Sequence, residues 1–146
     1  MRSKDFSSIS NALKRAQGTL DPTQRLQVDS VDRLIEAIGR GDLDTVLANA
    51  AVDVCLDIYA PPEFSWTRHA VGAAAIRAAI AHNFDSLVEQ RPEISNVLSQ
   101  PDLVVLIGRE RGIIRATGEP YDVQFVQRYT FRSGKLAAVQ VVAART

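Results

Sequence analysis

Cysteine is almost missing from this sequence. Cys55 stands alone, so no intrachain disulfide forms and no paired-cysteine metal motif exists. Histidine is nearly as scarce: His69 and His82 are the two present, without the spacing of a zinc site. Neither sign of charge is in excess. Seventeen lysines plus arginines stand against 17 aspartates plus glutamates, which leaves no global field to draw in nucleic acid or an anionic membrane. No apolar run approaches the length of a membrane span, and the opening MRSKDFSSISNALKRAQG lacks the apolar core of a secretory signal. The GxSxG, phosphate-loop and dinucleotide motifs are absent as well. The expectation is a protein that uses no metal and no cofactor, acts on neither nucleic acid nor membrane, and is cytoplasmic by default. Cys55 then reads as a small buried hydrophobe inside a strand.

What is present is enough apolar material for one core, 46% of 146 residues. The organising stretch is Tyr121 to Ala144, which reads as two strands joined by a tight turn at Ser133-Gly134. A two-residue loop sets Arg132 opposite Lys135, and the register runs outward through Phe131–Leu136, Tyr129–Ala138, Gln127–Gln140 and Phe125–Val142. Side chains alternate across a strand, so these pairs share one face, aromatic and aliphatic with two glutamines in its middle. The other face carries Arg128/Val139 and Val126/Val141, turning from polar to apolar, which predicts partial cover by something else.

Upstream, Phe6, Ile9, Leu13 and Ala16 lie at helical spacing, so residues 1–20 form a helical extension before a domain over 21–146. That helix packs on the domain, packs on a partner, or frays. Asp21-Pro22-Thr23-Gln24 starts a second helix with a capping box, and Gly39 and Gly41 stop it. Asp42 caps a short helix carrying Leu43, Val46 and Leu47. Val52 to Tyr59 alternates as a strand, Glu63 to Val71 is a loop or short edge strand, and Gly72 opens a helix to about Val88. Arg91-Pro92 punctuates, and strands follow over 93–99 and 103–116, with Gly108 and Gly112 hinting at bulges. Val104 to Ile107 is apolar on both faces, which again predicts a covered outer surface. Strands segregated from helices give an α+β fold, a strongly curved antiparallel sheet wrapped over a helical layer.

This order resembles the nuclear-transport-factor-2-like superfamily of the cystatin-like fold, and within it the SnoaL-like and ketosteroid-isomerase-like proteins. The resemblance rests on Gly41-Asp42-Leu43-Asp44 leading to Asp53, Gly72 with Ala75-Ile76, Thr117-Gly118-Glu119-Pro120, and Arg128-Tyr129-Thr130-Phe131 followed by Gly134-Lys135-Leu136. It covers roughly residues 22–144, and it implies a cone-shaped pocket and a homodimer through the outer sheet face. Polyketide cyclases of this kind pair an acid with a histidine, and limonene epoxide hydrolases use an Asp-Arg-Asp set. The possible counterparts are Asp57 or Glu110, His69, and Arg109 or Arg111, none inside a matched motif.

Candidate catalytic residues are therefore Asp57, His69 and Glu110. Asp57 and Tyr59 share a strand face that looks either into the pocket or at solvent, with Val54, Leu56 and Ile58 taking the other side. His69 is a proton shuttle or a loop histidine bonded to backbone. Glu110 shares parity with Leu106 and Ile114, which makes it either an inward acid or base or the partner of an arginine on a neighbouring strand. Candidate ligand contacts are Tyr59, Phe64, Trp66, Phe125, Gln127, Tyr129 and Gln140; Phe64 and Trp66 read as wall, lid or core. Gln127 and Gln140 either hold each other or orient a ligand carbonyl or hydroxyl. The functional expectation is a small apolar organic ligand and cofactor-free proton transfer of the isomerase, cyclase or dehydratase type. The alternative is a non-catalytic binding or dimerisation module, which would carry a self-bonded inward glutamine pair and no carboxylate in the pocket.

Overall fold

A computed structural model describes residues 4–146. Helix α1 (Ser7–Ala16) runs through a short 3₁₀ turn into α2 (Pro22–Arg40), followed by α3 (Asp44–Leu47), β1 (Cys55–Tyr59), β2 (His69–Val71) and α4 (Ala73–Asp85). Four long strands close the chain: β3 (Leu87–Gln100), β4 (Leu103–Ile114), β5 (Pro120–Arg132) and β6 (Lys135–Arg145). They form one six-stranded sheet in the order β2-β1-β6-β5-β4-β3. Pairing is antiparallel except between β1 and β6, which run parallel, a departure from the all-antiparallel expectation. The helices lie on the concave side, where Val28, Val31 and Leu34 of α2 and Ile76 of α4 join Leu106, Phe125 and Tyr129 of the sheet in one core.

The capping box at Asp21 forms as its residues dictate, with the Asp21 carboxylate accepting from Gln24 N at 2.8 Å. Gly41, at φ 74°, ends α2 in the left-handed conformation that favours glycine. Asp42 makes no cap; the short helix starts two residues later with no side-chain bond at its head. The amino-terminal helix packs on the domain. Leu13 is fully buried, Ile9 nearly so, and the Ser10 hydroxyl donates to Asp32 Oδ1 at 2.6 Å. Leu13→Ala is therefore expected to lower stability by about 3 kcal/mol, measured by urea denaturation; a loss near zero would mean that α1 does not belong to the core.

The hairpin turn is of the twisted kind that two-residue loops need, with Ser133 at φ 52° and Gly134 at φ 77°. Arg132 faces Lys135 and Phe131 faces Leu136, as the turn predicts. Beyond that point one extra residue, Ala137, enters β6, so Thr130 meets Ala138, Tyr129 meets Val139, Gln127 meets Val141 and Phe125 meets Ala143. The slip inverts every β6 side chain past the bulge. Val139 and Val141 turn inward, while Gln140 turns outward opposite Arg128. The expected Gln127–Gln140 pair is thus corrected.

Two more bulges lie on β3. Its pairing with β4 shifts between Val88 and Arg91, opposite Gly112, and between Ile94 and Asn96, beside Gly108. The glycines on β4 permit the close approach, and the extra residues are on the partner strand. The helix expected to run to Val88 stops at Asp85, and Pro92, read as punctuation, sits inside β3. That is permitted because β3 is an edge strand. Val52, expected to open β1, lies outside it and is almost fully exposed; Cys55 at its start is half-buried.

Candidate functional site

Between helices and sheet lies a cavity of about 120 Å³. Its wall is mostly aliphatic and aromatic: Leu34 and Ile38 from α2, Leu56 and Ile58 from β1, Ile80 and Phe84 from α4, and Phe125, Val139 and Val141 from the sheet. The size is comparable to an engineered apolar cavity of roughly 150 Å³ that takes up benzene, which favours a compact ring over an extended ligand. Polar groups are few and grouped at two ends.

At one end stands Glu110. It is 8% exposed, and its carboxylate accepts the Tyr121 hydroxyl at Oε2 (2.8 Å) and the Gln90 amide at both oxygens (3.2 Å each). Burial pushes its pKa above the ordinary carboxylate value; the bonds from Tyr121 and Gln90 and the charge of Lys4 oppose that shift without cancelling it. Burial and the neighbouring carboxylate raise the Tyr121 phenol, so it stays a donor. Gln90 reaches this position because the β3 bulge, with Glu89 at φ 52°, turns its side chain into the cavity wall. Among the described residues no arginine pairs with Glu110: Arg109 is on the outer face, bonded to Asp122 through Nε at 2.7 Å.

At the other end, Tyr129 donates its hydroxyl to Gln127 Oε1 at 2.8 Å. The Gln127 amide nitrogen has no protein partner among the described residues, while its side chain lines the cavity. Gln127 is four residues along β5 from Val123, which faces Glu110. At about 3.3 Å per residue the two poles lie roughly 13 Å apart at the backbone.

Trp66 closes one side, its indole donating to Ser86 Oγ at 3.1 Å. Its loop is pinned from within: Arg68 donates to the carbonyls of Ala60, Pro61 and Phe64 at 2.9–3.1 Å. Asn83 of α4, also in the wall, is occupied by Thr67, accepting from its N–H at 2.8 Å and donating to its carbonyl at 3.1 Å.

The structure thus brings Glu110, Trp66, Phe125, Gln127 and Tyr129 to the cavity. Phe64 is buried behind it, its ring 4.7 Å from that of Trp66 and 5.1 Å from that of Tyr121. Asp57, His69, Tyr59 and Gln140 are not brought there. Val54, Leu56 and Ile58 take the inner side of β1, so Asp57 and Tyr59 project outward. Asp57 faces His69 across the β1–β2 pair, with Oδ1 2.6 Å from His69 Nδ1, on the convex side of the sheet. His82 is near Ser65, its Nε2 2.8 Å from the carbonyl. Sequence reasoning missed Gln90 and Tyr121. Tyr121 shares parity with Phe125, a signal that was available; Gln90 depends on a bulge that Gly112 hints at on β4 without marking which β3 residue it turns inward.

The architecture is that of the nuclear-transport-factor-2-like cone, a curved sheet closed by helices over one pocket. The SnoaL-like domain family matches residues 31–139, and the chain belongs to that family. Among solved structures, a candidate SnoaL-like polyketide cyclase from Jannaschia sp. CCS1 superposes with a TM-score of 0.70 at 18% identity, over 85% of this chain and 89% of that one. A nuclear-transport-factor-2-like protein from Burkholderia xenovorans LB400 gives 0.69 at 24% identity, over 83% and 91%. TerC, co-crystallised with polyporic acid, gives 0.62 at 20%, over 83% and 92%. No curated protein matches the chain. Among the described residues no helix is long and apolar enough to cross a membrane, and no group of metal-ligating side chains is gathered.

Proposed function

We propose that the cavity binds a compact, mostly apolar organic compound bearing a carbonyl or hydroxyl, and that Glu110 moves a proton on it without a cofactor. The single observation that carries this reading is a buried carboxylate in a mostly apolar wall, its pKa raised by burial, the direction a general base needs. In such a step Glu110 accepts a proton from a carbon beside a carbonyl. The C–H electron pair moves into the conjugated carbonyl, and the carboxylic acid returns the proton at a second carbon or to a leaving oxygen. The free amide nitrogen of Gln127 is the donor available to a ligand oxygen at the far end. Asp57, His69, Tyr59 and Gln140 have no part in this step. A binding module without catalysis would more naturally carry a wall with no carboxylate, and the co-crystallisation of TerC with an organic acid agrees with a small-molecule role.

The test is a thermal-shift series with cyclic ketones, phenols, polyketide-like aromatics and epoxides. A ligand that binds only the native state raises its melting temperature saturably. The reading predicts such a rise for small conjugated carbonyl compounds, and a flat response across the series would contradict it.

The same reading includes a homodimer through the convex face of the sheet. Val126 of β5 faces Val142 of β6, which faces Tyr59 of β1, and these three are 41%, 49% and 58% exposed. A contiguous apolar row of this kind is a candidate contact surface. Val126→Glu should convert a dimer to a monomer in light scattering; a parent that is already monomeric would remove this part of the reading. A cytoplasmic setting is supported by one unpaired, half-buried cysteine.

A further inference from the structure

The Glu110 carboxylate does not stand on its own strand's chemistry alone. Behind it, away from the cavity, the chain's amino-terminal segment is laid alongside β3: Lys4 bridges to Gln90, and Asp5 N–H donates to the Gln90 carbonyl at 2.9 Å. The Lys4 ammonium is thereby carried to the end of α4. It donates to the Phe84 carbonyl, to the Leu87 carbonyl at 3.2 Å, and to Gln90 Oε1 at 2.9 Å, with the Phe84 ring 5.4 Å away.

A glutamine side chain has one accepting and one donating end, and here the choice between them is forced. An ammonium can only donate, so the oxygen of Gln90 must face Lys4 and the NH₂ must face Glu110. With that orientation, Gln90 and Tyr121 both present hydrogens to Glu110. Such a shell suits an ionised carboxylate, which only accepts, better than a carboxylic acid, whose own proton would need an acceptor.

We propose that Lys4 is a positioning residue for Glu110: through the Gln90 amide it aims donors at the carboxylate and holds it in the proton-accepting state. This deepens the reading of Glu110 as the base and rests on it for its catalytic meaning. The protonation state itself can be measured without a substrate. The groups that face this network are Tyr121 of β5 and Gln90 of β3 on Glu110, with Asp85 of α4 and Arg115 after β4 acting on Lys4. Burial lowers the Lys4 pKa and the Glu110 charge works against that, in keeping with an ammonium partly withdrawn from water and compensated from within.

The alternative is that Lys4 merely anchors the segment to the carbonyls at the end of α4, a favourable place for a cation. The two roles separate in the titration of the Glu110 carboxyl carbon, followed by NMR in the full chain and assigned with Glu110→Gln. Lys4→Met removes charge and bond together and is expected to raise the Glu110 midpoint by about one pH unit, while Lys4→Arg restores most of it. Gln90→Met leaves the anchoring carbonyls intact and should produce an upward shift of similar size. An unchanged midpoint in folded Lys4→Met overturns the proposal. Should that variant fail to fold, an unchanged midpoint in Gln90→Met does the same. Failure of the wider functional reading would appear elsewhere, as full activity in Glu110→Gln or a flat thermal-shift series in the parent, and leaves this titration interpretable.

Discussion

Glu110→Gln is expected to lower turnover by about a thousandfold while making the fold more stable at neutral and alkaline pH. The two effects come from one cause. The native carboxyl holds its proton more tightly than the unfolded chain does, because burial raises its pKa above the ordinary 4.5. Between the unfolded and native values the native state therefore binds more protons, and stability falls as pH rises through that window. Above it the protein carries a buried charge whose full cost remains. The amide has no charge to bury, so the variant should gain on the parent at pH 8 and lose that gain near pH 4. Each tenfold displacement of the proton equilibrium is worth about 1.4 kcal/mol. Melting curves at the two pH values, with an assay on any ligand found by thermal shift, check both halves. A variant that is less stable than the parent at pH 8 as well as at pH 4 would mean that the ionised carboxylate is no net cost to the fold.

Gly108→Ala is expected to be among the most damaging single-atom changes in the chain. A Cβ at this position would lie 2.2 Å from the Glu93 carbonyl oxygen and 2.9 Å from the tip of the Phe125 ring. The first neighbour is backbone and can move only by pulling β3 away from β4 at its bulge. A loss of about 3 kcal/mol, or roughly 10 °C in Tm, is expected. Gly112→Ala makes the useful contrast. Its new Cβ would meet the Tyr121 ring at 2.6–2.8 Å, a side chain that can swing. That variant should lose less stability, yet it would draw the Tyr121 hydroxyl off Glu110. Equal losses in the two variants would mean that the β3–β4 approach at Gly108 is looser than the geometry requires.

The chain's long-range order was legible where a single local rule dominates. The capping box at Asp21, the twisted turn at Ser133-Gly134 and the inward run Phe125-Gln127-Tyr129-Phe131 each depend on residues within a few positions, and each formed as read. For Glu110, parity with Leu106 left an inward side chain and an arginine pair both open; alternation along β4 is unbroken, and the side chain lies inward. Bulges are where alternation fails. Ala137 shifts β6 by one residue and exchanges Gln140 for Val141 at the pocket, and nothing in LAAVQVV marks which residue is extra. Gly112 hinted at a bulge on β4, but nothing marks that the extra residues, Glu89 and Gln90, lie on β3, where they bring a second donor to Glu110. Asp57 and His69 looked functional as residue types. Their strand offers two faces, and the apolar one took the core; what remains is a pair on the convex side. Lys4 was beyond sequence reasoning altogether, because its three acceptors lie eighty or more positions away.

A small carbonyl compound is expected to sit in this cavity, against Glu110. Trp66, the single tryptophan, is in the cavity wall and reports directly on occupancy. The measurement is its emission during titration with cyclic conjugated ketones, in the parent and in Ala143→Phe, which fills the cavity from β6. A saturable change in the parent that disappears in the filled, folded variant is the predicted result. A change that survives the filling, or no saturable change in the parent at all, would mean that the cavity does not hold such a ligand.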